Sequence, residues 1–285
     1  MKPVHPHPGN PGPRDEGPPP RPPPRPAPPP AASRPVVRPL RLPMTLLLYA
    51  LLALLGLISL AWNLVAMVLH PLLPQARGQA VGRAGIAYGY RMFWAVARAS
   101  GMLRLEAGVL DTLRDESGLI IVANHPSMLD ALMLVARLPR SACLMKASLL
   151  GNVFLGAGAR LARYVSNGSP MGMVRQAVHD LQRGGQLVMF PEGTRTTQAP
   201  LNPFRPGVTL IAKLARAPIQ TVFIDTDSPY LGKGWPLWKL PPLPIVFTVR
   251  LGKRFAPQAD AHALLHELEA YFAAGVKPHQ PPSAD

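Results

Sequence analysis

His125 and Asp130 stand five residues apart in "NHPSMLD" (124–130), directly after the apolar run "LIIVA". An imidazole held by a carboxylate can take a proton from a hydroxyl, because the carboxylate fixes the ring's tautomer and stabilises its cation. Inside one regular helix the two side chains would lie about 140° apart around the axis and could not meet. Pro126 changes this. It keeps the residue before it out of the helical region, so His125 is expected in extended backbone at a strand end. Pro126 then suits a first helical position, and Asp130 sits about one turn further on. The spacing therefore permits the pair, although a capping aspartate beside a loop histidine would give the same pattern.

A second stretch, "VMFPEGTRT" (188–196), also follows a buried-strand pattern. Gly193 allows close backbone approach, Thr194 supplies a hydroxyl, and Arg195 offers a planar fork for a phosphate. Glu192 completes the group. A strand-to-loop turn with a surface ion pair is the plainer reading of these residues taken alone. In a parallel α/β sheet, however, ligands sit beyond the carboxyl ends of strands, and both stretches lie at such ends. Lys146 and Arg205 are further cations available to acidic groups. The single cysteine, Cys143, lies in the apolar run "ACLM". That suits a buried inert thiol and excludes an intramolecular disulfide. His262 and His266 have metal-ligand spacing, but "HALLH" lacks the glutamate of a zinc-binding helix, so a solvated helix face is expected and no metal.

The elements that must position these groups alternate. Strands are expected at 103–109, 118–123, 142–147, 186–190, 218–224 and 244–252. Helices are expected at 127–138, 169–185, 207–217 and 261–275, the second opening on Ser169–Pro170 and closing on two glycines. Alternation of this kind predicts an α/β fold with a mainly parallel central sheet covered by helices, over residues 103–276. A tail, 277–285, follows.

The N-terminal third is of another kind. Residues 1–43 are rich in Pro and Arg and are expected to form a disordered basic arm. Residues 44–69 carry no charge, a length sufficient to cross a bilayer, and a membrane segment is expected over 44–73. Arginines flank it on both sides, so a single span and a hairpin bending near Gly56–Ser59 both remain open. Residues 84–104 have the spacing of an amphipathic helix. The net charge of +15 and pI of about 10.9 fit either nucleic acid or an anionic membrane. The absence of nucleic-acid-binding motifs and the apolar segment favour the membrane.

The two motifs together resemble those of the glycerolipid acyltransferases. "NHPSMLD" resembles the family's NHxxxxD box, and "FPEGTR" (190–195) matches its second signature residue for residue. "FRPG" (204–207) and "APIQTV" (217–222) stand where the family has a basic-Gly turn and a later Pro-containing strand. Within the family the chain is similar to the bacterial lysophosphatidic acid (1-acyl-sn-glycerol-3-phosphate) acyltransferases, over roughly 85–255. The resemblance implies His125 as base, Asp130 as its orienting partner, and Glu192, Gly193, Thr194 and Arg195 holding the acceptor. It implies an acyl-CoA or acyl-carrier-protein donor, a lysophospholipid acceptor, no cofactor, no acyl-enzyme, and a cytoplasm-facing domain at the bacterial inner membrane. Ser127 is accordingly not expected to be a nucleophile. Where the family usually carries a middle-box arginine this chain has Ser166, Asn167 and Gly168, which leaves another lipid hydroxyl as an alternative acceptor. A non-catalytic lipid-binding membrane protein is the alternative of a different class.

Overall fold

The computed structural model describes residues 38–236 and 239–277, with side chains from Leu42 onward. The Pro/Arg-rich arm up to residue 37 and the tail from 278 lie outside the described residues.

Two long helices come first. Helix α1 (Arg38–Leu72) has 35 residues, about 50 Å of helix and well beyond a bilayer's hydrocarbon thickness. It begins ahead of the expected residue 44 and runs unbroken through Gly56–Ser59, so the chain does not bend there. The reversal comes just before Pro74, and α2 (Gln75–Ala99) folds back along α1. Gly85 lies against the Trp62 indole and Gly89 against Ile58. This helix starts nine residues before the amphipathic pattern at 84 and ends before 104, where Gly101 takes a left-handed φ of 73°. Gly78, Gly82, Gly85 and Gly89 hid its first half from a propensity reading. They recur on one face, where other helices approach closely. A Cβ on Gly82 would fall 2.5 Å from the backbone nitrogen of Ala162.

Seven strands follow: β1 (Leu103–Glu106), β2 (Leu119–Ala123), β3 (Ser141–Met145), β4 (Val165–Ser166), β5 (Gln186–Met189), β6 (Ile219–Thr226) and β7 (Ile245–Phe255). They form one sheet in the order β1-β7-β6-β2-β5-β3-β4. All neighbours are parallel except β6 and β7, which are antiparallel. Five helices complete the domain: α3 (Asp130–Arg137), α4 (Gly156–Leu161), α5 (Pro170–Gln182), α6 (Gly207–Ala215) and α7 (Ala261–Gly275).

Alternation along β2 divides its side chains between the two faces. Ile121 and Ala123 join a core with Phe93 of α2 and Met133 of α3. Ile120 and Val122 join a second core with residues of α5, α6 and α7. Arg83 of α2 ties the long helices to the sheet domain. It is buried, donates to the carbonyls of Ala162 and Arg140, and pairs with Asp180 at 2.9 Å. Asn63 of α1 does the same from the other helix. Its side chain donates to Val153 O and accepts from the backbone N–H groups of Ala157 and Gly158, at the start of α4.

Candidate active site

Strands β2 and β5 are parallel neighbours, so the loops that follow them emerge side by side at the carboxyl edge of the sheet. Asn124 fixes the first loop. Its side-chain amide donates to Ile224 O and accepts from Ile224 N, extending the sheet by one rung toward β6. His125 comes next and is gripped from the second loop at both backbone groups. Its N–H donates to Glu192 Oε1 at 3.1 Å, and its carbonyl accepts from the Thr196 N–H at 2.8 Å. The imidazole stacks on Phe190, with ring centroids 4.0 Å apart.

The His–Asp pair permitted by the sequence is formed. His125 Nδ1 lies 2.9 Å from Asp130 Oδ2, and the same oxygen accepts from the Ser127 N–H at 2.7 Å. Asp130 is the first residue of α3 and is fully buried. That burial pushes its carboxyl above the ordinary aspartate value, while the bonds to His125 and Ser127 pull the other way. With Nδ1 occupied by Asp130, Nε2 is the ring nitrogen left for a substrate proton. Ser127 is also buried, and its hydroxyl donates to Tyr230 O.

Glu192 sits behind the histidine. Its side chain accepts from His125 N, Thr196 Oγ1 and the backbone N–H of Asn202, and it is 3% exposed. It binds the two loops to each other. Arg195 has a comparable task at one end of its fork, where Nη1 donates to Leu231 O and Gly232 O. Ser127 and Met128 bond to the same turn, through Tyr230 O and Leu231 O. These ties, and the parts played by Thr196, Asn202 and Phe190, have no local signature. Phe190 opens the second motif and Thr196 directly follows it, and that adjacency was the available hint.

His125 opens on a cavity of about 460 Å³. Its far walls are apolar: Ile58 and Trp62 of α1, Ile86 and Tyr90 of α2, and Leu132 and Val135 of α3. At its polar end Gly193, Thr194, Arg195, Lys146 and Lys233 also line it. Gly193 holds a left-handed φ of 69°, and a Cβ there would strike the Arg205 side chain. Arg205 itself is exposed and is not among the cavity's lining residues. Asn167 does line it, one of the three residues, 166–168, that stand where the resemblance leads to an expected arginine, and its side-chain oxygen accepts from Ala147 N. Cys143 is a wall residue whose thiol is pushed up to about 12 by burial, which keeps it protonated and unreactive. His262 and His266 lie on the exposed face of α7.

Comparison with known proteins converges on these loops. A family model described as Acyltransferase matches residues 104–225. A Caenorhabditis elegans protein, provisionally named 1-acyl-sn-glycerol-3-phosphate acyltransferase acl-1, is 29% identical over 140 residues, covering 46% of this chain and 52% of that protein. The chain thus spans about half the length of the curated relative it matches. The crystal structure of PlsC, the 1-acyl-sn-glycerophosphate (LPA) acyltransferase of Thermotoga maritima, superposes with a TM-score of 0.61, covering 84% of this chain and 96% of that one. At 19% identity that likeness is one of fold. The stretch that matches the acyltransferase family model, residues 104–225, contains both loops that meet at His125.

Proposed function

We propose that this protein moves a fatty acyl group from a thioester to the free hydroxyl of a lysophospholipid, lysophosphatidic acid first among them, at a membrane. The observation that carries the reading is the buried-carboxylate–imidazole pair whose histidine lines an apolar cavity. The acceptor hydroxyl gives its proton to His125 Nε2 as its oxygen attacks the thioester carbonyl carbon. Asp130 stabilises the imidazolium that results. The tetrahedral intermediate collapses with cleavage of the C–S bond, and the departing thiolate takes the proton back from His125. No bond to the protein forms at any stage. The cavity holds the acyl chain, and Arg195 and its neighbouring cations face the polar end of the acceptor.

Membrane attachment falls to α1, whose Leu57, Leu64, Met67 and Val68 are exposed, together with Tyr88, Met92 and Val96 of α2. In this reading the domain works on the cytoplasmic side of a bacterial inner membrane, within reach of thioester donors. A purely lipid-binding role has no use for a buried carboxylate behind a histidine. Asn167 favours a second reading, because it puts an amide where the family has a cation. The same chemistry would then serve a lipid hydroxyl without a phosphate beside it.

The test is thiol release from a long-chain acyl-CoA by purified protein in detergent, with mass spectrometry of the product. A panel of acceptors with and without phosphate separates the two readings. Acylation of lysophosphatidic acid that His125→Ala abolishes supports the first. No acylation of any acceptor refutes both.

A further inference from the structure

A second depression, about 1030 Å³, adjoins the catalytic loop. Asn124 and Pro126, on either side of His125, form part of its wall, and Lys233 lines both it and the apolar cavity. Its chemistry differs from the cavity's. Lys233, Lys239 and Lys277 line it together with Trp235. The Lys239 ammonium stands 5.1 Å from the centre of the Trp235 ring. Two aspartates also line it, and both are engaged. Asp225 pairs with Arg250 at 2.6 Å and lies 3.7 Å from Lys277, and Asp227 accepts from the Val246 N–H. Lys233 and Lys239 have no ion-pair partner among the described residues.

A thioester placed with its carbonyl at His125 and its chain in the apolar cavity must send the rest of the donor elsewhere. The depression that begins at Lys233 is the adjoining space. Phosphates are held by ammonium groups, and a purine is held by a flat aromatic face, with a cation strengthening the arrangement. We infer that this groove binds the phosphorylated nucleoside end of the acyl donor, through Lys233, Lys239 and Trp235, so that the donor is an acyl-CoA rather than an acyl carrier protein. The inference rests on the acyl-transfer reading above. A concave groove with an indole in its wall suits a nucleotide better than the broad face of a folded carrier.

Lys239 gives the clean variant, because it is exposed, whereas Trp235 is partly packed against the core. The first measurement needs no catalysis. Calorimetry with adenosine 3′,5′-bisphosphate should show binding to the full-length protein, and Lys239→Glu should weaken it about tenfold, or 1.4 kcal/mol. The second is kinetic. Lys239→Glu should raise the Michaelis constant for acyl-CoA about tenfold and leave the constants for the acceptor and for an acyl-pantetheine thioester unchanged. A nucleotide that fails to bind the wild-type protein overturns the inference. So does an equal effect on acyl-CoA and acyl-pantetheine, or an effect confined to acyl carrier protein or to the acceptor. Failure of every donor to react would instead refute the acyl-transfer reading, with the calorimetry still deciding the nucleotide site.

Discussion

Asp130 Oδ2 accepts two hydrogen bonds at once, one from the Ser127 N–H at 2.7 Å and one from His125 Nδ1 at 2.9 Å. The backbone bond fixes the oxygen, and the oxygen in turn fixes the ring. His125→Ala should therefore lower acyl transfer by about 10²–10⁴-fold while the protein folds and inserts. Asp130→Asn should be nearly as severe, because the ring loses its orienting charge. Initial rates on purified variants with matched circular dichroism check both, and substantial turnover in His125→Ala would remove the catalytic assignment.

Glu192→Gln tests whether Glu192 acts on the substrate or on the loops. Three protein donors converge on its carboxylate, and an amide cannot accept from all of them. The expected result is a stability loss of about 1–3 kcal/mol together with a fall in turnover number. Chemical denaturation measures the first. A variant of native stability with only a raised acceptor constant would return Glu192 to direct substrate binding.

Arg195→Lys keeps the charge but loses the planar fork. A lysine has a single nitrogen to share between the carbonyls of Leu231 and Gly232 and a phosphate, where the guanidinium holds the carbonyls with Nη1 alone and keeps its other nitrogens for the phosphate. The Michaelis constant for lysophosphatidic acid should rise about tenfold or more, and that for the acyl donor much less. Varying each substrate in turn decides it. Equal rises in both would mean that Arg195 acts by bracing the turn alone.

Acid should remove activity before it removes the fold. Burial raises the Asp130 pKa, so protonation begins above the pH at which an exposed aspartate titrates, and His125 loses its partner there. For stability the sign is opposite. A raised folded-state pKa makes the ionised form the costly one, so this group's stabilising contribution is complete below the unfolded value and is lost as pH rises through the raised one. Asp260 and Glu267 are shifted down by their hydrogen bonds, so their contributions are lost only below the ordinary carboxylate range. Turnover and circular dichroism on the same samples between about pH 2 and 7 should separate the two transitions. Coincident loss of both would contradict this account.

Arg83→Met leaves Asp180 without its cation and the carbonyls of Ala162 and Arg140 without a donor. Breaking a buried pair from one side typically costs about 3–5 kcal/mol. Thermal unfolding should show a large drop in Tm, with recovery in Arg83→Met/Asp180→Leu. A single variant with unchanged Tm would mean that the pair does not hold α2 to the domain.

The amino-acid pattern made the sheet domain legible because its signals are local. Ser169 does cap α5, with Pro170 at its first turn, and α7 occupies 261–275 as its periodicity indicates. Pro126 was enough to free His125 from a helical geometry and to allow its contact with Asp130. Other features depend on residues far apart in the chain. The bond from Arg195 to Leu231 spans 36 residues, and that from Asn63 to Val153 spans 90. Helix α4, built from "GAGARL", has almost no side chain on which a periodicity could show. Glu192 reads as a surface acid in the linear order because the donor that draws it inward, the His125 N–H, lies 67 residues away.

Ile58, Ser59 and Trp62 belong to α1 and are also walls of the chamber that His125 faces. Trimming away the apolar N-terminal helix to obtain a water-soluble enzyme would therefore leave that chamber open along one side. In the membrane-bound reading proposed above, the anchor and the substrate site are one piece of architecture, and whatever tilts or lifts α1 would also reshape the space beside His125. On that reading bilayer thickness and fluidity become variables of catalysis, and rates measured in short-chain and long-chain detergents should not be interchangeable.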